Sequence, residues 1–347
     1  MIITGYMSCT GSSFAALQDL RGRDLEKIFV TGCAGFLGSN LVDRLLGDGY
    51  AVVGLDNFST GQREYLEEAS RSTCFRLVEG DVLDAAALTS AMQGSQFVFH
   101  LAANADIRFG LEHPRRDLEQ NTLATFNVLE AMRSNGIQGI AFSSSAAALG
   151  EPSVIPTPED CPLPIQTSLY GASKMACEGL VSSYCEGFGF EGYVFRFVSL
   201  LGERYPHGHV FDFVRALRRD PTRLQILGDG NQRKSYIHVQ DCIAAMLRVV
   251  RQRTAREAPH RVQVYNLGYP DYIEVKDSAN WICDRLGLDP KLEFTGVRRG
   301  WVGDNPFVFL DVSKIRGTGW EPEYTIRQSI LATVDWLVAN PWLLDRR

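Results

Sequence analysis

Tyr170-Gly171-Ala172-Ser173-Lys174 sets a phenol and an ammonium four residues apart, a spacing that on a helix brings both to one face. A phenol titrates at about 10, too high for a base at neutral pH. A lysine charge about 6 Å away, at an effective dielectric of about 20, contributes roughly 2–3 kcal/mol, or about two pKa units. Tyr170 is therefore expected to act as a base on a substrate hydroxyl, with Lys174 lowering its pKa. Ser145 ends an apolar run that includes Ile140-Ala141-Phe142 and is placed to hydrogen-bond the same hydroxyl. Tyr-x-x-x-Lys alone is common by chance; its weight comes from the motif that precedes it.

That motif is Gly32-Cys33-Ala34-Gly35-Phe36-Leu37-Gly38, directly after the β-branched run Ile28-Phe29-Val30-Thr31. One glycine allows a tight turn, the next lets backbone approach a pyrophosphate, and the third allows close helix–strand packing. The helix that follows offers free N–H groups and a partial positive charge to phosphates. Asp56 ends the second apolar run, where a carboxylate can accept both ribose hydroxyls and would repel a 2′-phosphate. The expected cofactor is therefore NAD, although Arg63 lies near enough to relax the preference over NADP. Its nicotinamide would take the hydride from the carbon whose hydroxyl Tyr170 deprotonates, and its positive charge would add to that of Lys174. Asp81 is placed either to meet the adenine or to cap the next helix.

The elements that must position these residues alternate regularly. Short apolar runs at 28–31, 51–55, 75–78, 97–101 and 140–142 read as buried strands. Helical spacings at 36–49, 85–92 and 115–134 separate them, and 169–184 carries the Tyr-Lys pair. Strands apolar throughout, alternating with helices, indicate an α/β fold with a doubly wound parallel sheet of the Rossmann type. Such sheets bind ligands beyond the C-terminal ends of their strands. The expected division is an extension over 1–24, a dinucleotide-binding domain over 25–199 whose sheet also receives about 233–268, and a smaller C-terminal lobe from 200–232 and 269–347. Residues 151–167 hold five prolines and read as a loop over the site.

Apolar residues make up 45 % of the 347 and charged residues 22 %, as in a globular chain with a sizeable core. The net charge of −6, without a dense basic block, disfavours nucleic acid as the main ligand. No apolar run reaches the roughly 20 residues of a bilayer span, and the start lacks the pattern of a secretory signal. The eight cysteines form no C-x-x-C pair and no cluster with histidine, so free thiols in the cytoplasm are expected and a metal site is not. His100, His207, His209 and His238 read as structural.

From about residue 27 onward the chain resembles the extended short-chain dehydrogenase/reductases, in the nucleotide-sugar epimerase and dehydratase branch. The resemblance rests on 31–38, Leu55-Asp56-Asn57, Gly80-Asp81-Val82, His100-Leu101-Ala102-Ala103, Asn121, 142–145, 170–174, Gly228-Asp229-Gly230, Tyr236-Ile237-His238-Val239 and Gly319-Trp320-Glu321-Pro322. It implies a tightly held NAD touched by Gly32, Gly35, Phe36, Leu37, Gly38, Asp56, Asn57, Ser59, Thr60, Asp81, Val82, Leu101, Ala102, Ala103, Asn121, Ser143, Tyr170, Lys174 and Phe197. It also implies a C-terminal lobe that grips a nucleoside diphosphate, and homodimers formed through the helices at 115–134 and 170–187. Ser145 and Ser199 would face the sugar, with Arg233, Lys234 and Arg299 as candidate phosphate cations.

Members of this branch begin by oxidising the sugar at C4. Dehydratases carry an Asp-Glu pair just after the catalytic Ser or Thr, and decarboxylases tend to carry a Glu. Ala146 and Ala147 stand there instead and can do no proton chemistry. The resemblance thus implies 4-epimerisation of a UDP-hexose of the glucose/galactose, glucuronate or N-acetylhexosamine type. A 4-ketoreductase or dehydratase is the alternative, and a non-catalytic NAD-binding protein a third reading. Leu149 replaces a customary Tyr and Ser199 a customary Asn.

Overall fold

The computed structural model describes residues 27–105, 110, 112–162, 165–253, 255, 258–296, 305 and 307–346. The expected extension over 1–24 and the Arg298-Arg299 pair lie outside them.

Seven strands pair in parallel: β1 (Lys27–Thr31), β2 (Ala51–Asp56), β3 (Phe75–Glu79), β4 (Phe97–His100), β5 (Gly139–Ser145), β6 (Glu191–Phe197) and β11 (Val262–Leu267). Their order is β11-β6-β5-β4-β1-β2-β3. The chain therefore reverses direction across the sheet between β1 and β4, the switch point at which doubly wound sheets bind ligands. This is the Rossmann-type α/β fold. Helices α1 (Phe36–Gly47), α2 (Ala85–Ala91), α3 (Pro114–Asp117), α4 (Ala124–Ser134) and α5 (Leu169–Phe188) belong to this half.

Apolar residues on both faces of each strand create two cores. One face joins Val30, Phe99, Tyr193 and Phe195 to Leu41 of α1 and to α7 (Val239–Gln252). The other joins Phe29, Val98 and Phe142 to Leu129 of α4 and Val181 of α5. Each such side chain withdrawn from water contributes about 1.5–3 kcal/mol, which explains why β1 and β4 are almost wholly apolar.

A third core gathers Phe211 and Phe213 of α6 (His209–Arg219), Ile282 of α8 (Val275–Leu286) and Ile330 of α9 (Ile326–Ala339), beside β8 (Arg223–Ile226) and β13 (Lys291–Phe294). Glu274 with Asp277, and Thr325 with Gln328, form capping boxes that start α8 and α9. Among the described residues no helix is long and apolar enough to cross a membrane.

Two expectations change. The helix over 115–134 is interrupted: Leu118–Leu123 makes π-helical turns between α3 and α4. The stretch 233–239 does not join the main sheet. It splits into β9 (Arg233–Lys234), paired with β12 (Ile273–Glu274) and β14 (Phe307–Val308), and β10 (Tyr236–His238), paired with β7 (Ser199–Leu201). Only β11 returns to the seven-stranded sheet, beside β6. Strand β6 itself was not singled out from the sequence; its buried Tyr193-Val194-Phe195 run is the signal that marks it.

Candidate functional site

Beyond the C-terminal strand ends lies a cavity of about 870 Å³ that continues into the smaller lobe. At its near end the turn after β1 is shaped by glycine. Gly32 has φ +69°, and a Cβ there would stand 2.8 Å from the Ala102 nitrogen; one on Gly38 would stand 2.0 Å from the Gly32 carbonyl oxygen. The loop therefore packs backbone on backbone and leaves the start of α1 open. Gly35 caps that helix without a side-chain bond, and Phe36, Leu37 and Gly38 line the cavity. An uncapped helix N-terminus in a cavity wall fits a dinucleotide pyrophosphate.

Asp56 closes β2 with its carboxylate buried. Oδ2 accepts the Ala34 N–H and Oδ1 the Phe58 N–H, each at 2.8 Å. Burial pushes its pKa up and the two N–H groups pull it down. Arg63, the side chain able to relax NAD selectivity, is drawn away: it pairs with Glu79 at 2.6 Å and lies over the Phe58 ring. Asn57, Ser59, Thr60, Val82, Leu101, Ala102, Ala103, Ser143 and Phe197 also line the cavity.

Asp81 and Asn121 do not line it. Asp81 accepts from Asn57 Nδ2 and the Leu83 N–H, and the cap of α2 is Asp84. Asn121 is buried in the π segment, where it accepts the Asn104 N–H at 2.8 Å and donates to Ser173 Oγ at 2.8 Å. Its position there is a supporting one behind α5.

Ser168 caps α5 by accepting the Gly171 N–H. The helix presses on the turn Ala146–Leu149 so closely that a Cβ on Gly171 would stand 2.4 Å from the Ala147 carbonyl oxygen. Ser145 Oγ accepts the Ala147 N–H at 3.1 Å and faces the Tyr170 hydroxyl, whose pKa it lowers. Lys174 is almost fully buried and donates to the Ser143 carbonyl at 2.8 Å, with Nζ 5.9 Å from the Tyr170 ring centre. Ser145, Tyr170 and Lys174 thus converge on one wall of the cavity.

Their electrostatics depart from the expectation. Burial pushes the Tyr170 phenol up to about 12, against the Ser145 bond that pulls it down. Burial also pushes Lys174 down to about 8. In the chain alone burial outweighs Ser145, so the phenol needs further positive charge before it can serve as a base.

In the lobe, Ser199 and Lys234 line the cavity and Arg233 does not. Adjacent strand residues point to opposite faces. The Arg233 guanidinium accordingly lies 4.0 Å over the Phe307 ring, while Lys234 reaches the cavity and donates to the Asn305 carbonyl. His209 and His207 also line the cavity. Burial holds His209 neutral, down to about 3, and its Nε2 pairs with Ser278 Oγ. His100 is held likewise between Thr31 and Thr125.

Sequence reasoning missed Asn104, Gln120, Asp212, Phe213 and Gln225 as lining residues. It also missed the largely buried Glu178–Arg196 pair, bonded at 2.8 Å, that receives Ser144 behind the Ser-Tyr-Lys wall. Glu178 lies four residues after Lys174, a helical spacing that could have marked it.

Residues 28–268 match the model of the NAD dependent epimerase/dehydratase family. The UDP-glucose 4-epimerase of Mycolicibacterium smegmatis is 32% identical over 318 residues, covering 89% of this chain and 98% of that protein. A crystal structure of a UDP-galactose 4-epimerase superposes with a TM-score of 0.81 at 35% identity, covering 91% of this chain and all of that one. The UDP-glucose 4-epimerase of Thermotoga maritima, solved with UDP-glucose, gives 0.80 at 28% identity over 91% of this chain and 99% of its own. With its switch-point cavity, glycine loop and Ser-Tyr-Lys wall, the chain belongs to the NAD dependent epimerase/dehydratase family.

Proposed function

We propose that this chain is an NAD-dependent 4-epimerase of a UDP-hexose. The observation that carries the reading is the composition of the wall around Tyr170. Ser145, Tyr170 and Lys174 are brought together there, while the adjoining turn offers the cavity only Ala146 and Ala147. The wall can move one proton and holds no second acid or base on that turn to divert an oxidised sugar into elimination.

Tyr170 takes the proton of the sugar 4-hydroxyl and Ser145 hydrogen-bonds the same oxygen. NAD, when bound, supplies the hydride acceptor, and its positive nicotinamide supplies the further charge that the buried phenol requires. Lys174, pinned to the Ser143 carbonyl, keeps its ammonium beside the phenol. Tyr170 then returns the proton when the hydride comes back to the opposite face of the 4-keto sugar. The methyl groups of Ala146 and Ala147 leave room for that sugar to turn.

Asp56 binds the adenosine ribose hydroxyls, and the engagement of Arg63 with Glu79 supports NAD over NADP. Lys234 meets the diphosphate. The nucleoside end sits against α6, near His209 and Phe213. Exposed Leu118, Leu123 and Phe126 on one side, and Leu169 and Phe188 on α5, support a homodimer formed across these helices.

The test is product analysis. The purified chain is incubated separately with UDP-glucose, UDP-N-acetylglucosamine and UDP-glucuronate at trace NAD, and the sugars are resolved by NMR. A galacto-configured product without net NADH is expected from at least one. Net NADH formation, or a 4-keto or 6-deoxy product, would replace epimerisation by oxidoreduction or dehydration.

A further inference from the structure

We propose that Arg346 is a positioning residue for the cofactor: it clamps the loop after β2 to the smaller lobe and so slows the release of NAD. The proposal rests on the reading above that NAD lies along the Asp56 end of the cavity.

Residues 57–66 leave the end of β2 and wall that cavity through Asn57, Ser59, Thr60 and Tyr65. The loop is pressed onto the glycine turn. The Gln62 N–H donates to the Ala34 carbonyl at 2.9 Å. A Cβ on Gly61 would stand 2.8 Å from Asp56 Oδ1 and 2.9 Å from the Ala34 Cβ. Gln62 Nε2 donates to the Thr60 carbonyl at 3.0 Å. A displacement of Gln62 is therefore passed directly to Thr60, to the glycine turn and to Asp56.

The far side of the same loop belongs to the other half of the molecule. Tyr65 is 2% exposed and is part of the third core. Its ring lies 6.1 Å from that of Trp336 on α9 and 5.9 Å from that of Trp342 on α10 (Pro341–Asp345). Arg346 follows α10 directly. Its Nη2 donates to Glu64 Oε1 at 2.5 Å, and its Nη1 to Glu64 Oε2 at 3.1 Å and to Gln62 Oε1 at 2.7 Å. The guanidinium also lies 5.0 Å from the centre of the Trp342 ring. A planar fork on a carboxylate, with a third acceptor and a ring beside it, fixes direction as well as distance.

The other end of the clamp is anchored. Leu343 and Leu344 bury α10 in the third core. Asp345 accepts from Arg218 of α6 at 2.9 and 3.3 Å. Helix α6 in turn lines the cavity through His209 and Phe213. Adjacent residues thus hold opposite walls, Asp345 that of the lobe and Arg346 that of the cofactor loop. The Arg346 and Glu64 side chains are 50% and 35% exposed, so their pair adds little to the stability of the fold. Its effect falls on the freedom of the loop to move off the cofactor.

The experiment follows NAD exchange in the full chain. Protein loaded with isotope-labelled NAD is diluted into excess unlabelled NAD, and the label retained is measured over time. A pair of this exposure predicts that Arg346→Met releases label about threefold to fivefold faster. Arg346→Glu, which sets like charges together, should release it faster still. Combining Arg346→Glu with Glu64→Arg restores an opposite pair and should bring release back to within about twofold of native. Affinity for UDP, measured by calorimetry, should stay within about twofold of native in Arg346→Met. Native release in Arg346→Met, equal losses of NAD retention and UDP affinity, or no recovery in the exchanged pair would each overturn the proposal. If the exchanged pair does not fold, salt decides. In 1 M sodium chloride the gap between the native chain and Arg346→Met should shrink, and a constant gap would overturn the proposal. NAD exchange needs no sugar turnover: the expected release pattern in a chain that epimerises nothing would leave the clamp standing and remove the epimerase reading.

Discussion

Lys174 Nζ donates to the carbonyl oxygen of Ser143, two residues before Ser145 on the same strand, at 2.8 Å. The ammonium of α5 is thereby fixed to the end of β5, and the phenol one turn earlier is fixed with it. A lysine held this way is a charge of constant position, which is what a buried phenol needs if its pKa is to be lowered on demand.

Tyr170→Phe removes only the hydroxyl. Turnover is expected to fall by about a thousandfold, in the range of lost acid–base catalysis, with NAD still bound. Lys174→Met should lower turnover comparably and also destabilise the fold by about 1–3 kcal/mol, because the buried Ser143 carbonyl loses its donor. Product NMR and the nucleotide released on denaturation check both; native turnover in Tyr170→Phe would refute its role.

Gly38→Ala places a methyl carbon 2.0 Å from the Gly32 carbonyl oxygen, an overlap that no side-chain rotation relieves. A loss of about 1–3 kcal/mol and of cofactor affinity is expected. Gly47→Ala, on the same helix with open space around it, should be neutral or stabilising by up to about 1 kcal/mol. Thermal melts with and without NAD compare the two, and equal behaviour would mean that the loop yields.

The opposite facings of β9 predict opposite consequences. Lys234→Met should weaken UDP binding by about tenfold or more and flatten its salt dependence, leaving NAD affinity alone. Arg233→Met, which removes a guanidinium from above Phe307, should cost stability and little UDP affinity. Calorimetric titration with UDP separates them, and the reverse pattern would exchange their roles.

Phe126 and Phe188 are 43% and 54% exposed on neighbouring helices. Phe126→Glu with Phe188→Glu should convert a dimer to a monomer in sedimentation equilibrium without unfolding the chain. A native chain that sediments as a monomer at micromolar concentration would show that this face serves another contact.

Much of the site was legible because its signals are local. Glycine spacing, a strand-ending aspartate and a helical Tyr-Lys interval each report backbone geometry within a few residues. What escaped depends on tertiary placement. The phenol's pKa could not be read from Lys174 alone, since burial in the folded wall pushes it up. Arg233 and Lys234 both stood as phosphate candidates, Lys234 the better aligned, until β9 fixed their facing. The π turns at Leu118–Leu123 break no apolar rhythm strongly enough to be seen, yet they turn Asn121 inward behind α5 while Gln120 reaches the cavity. The lobe's lining residues come from elements far apart in sequence.

The contact between Gly171 and the Ala147 carbonyl separates two jobs that share one turn. Backbone at 146–147 braces the helix that carries Tyr170, while the same two residues line the cavity. Groups can therefore be exchanged on the sugar side without disturbing the brace. Under the proposed function, the fate of the oxidised sugar would be written in two replaceable side chains, with the Ser-Tyr-Lys wall insulated from their replacement. A fold built this way can acquire a new reaction outcome by point substitution while keeping its first step intact.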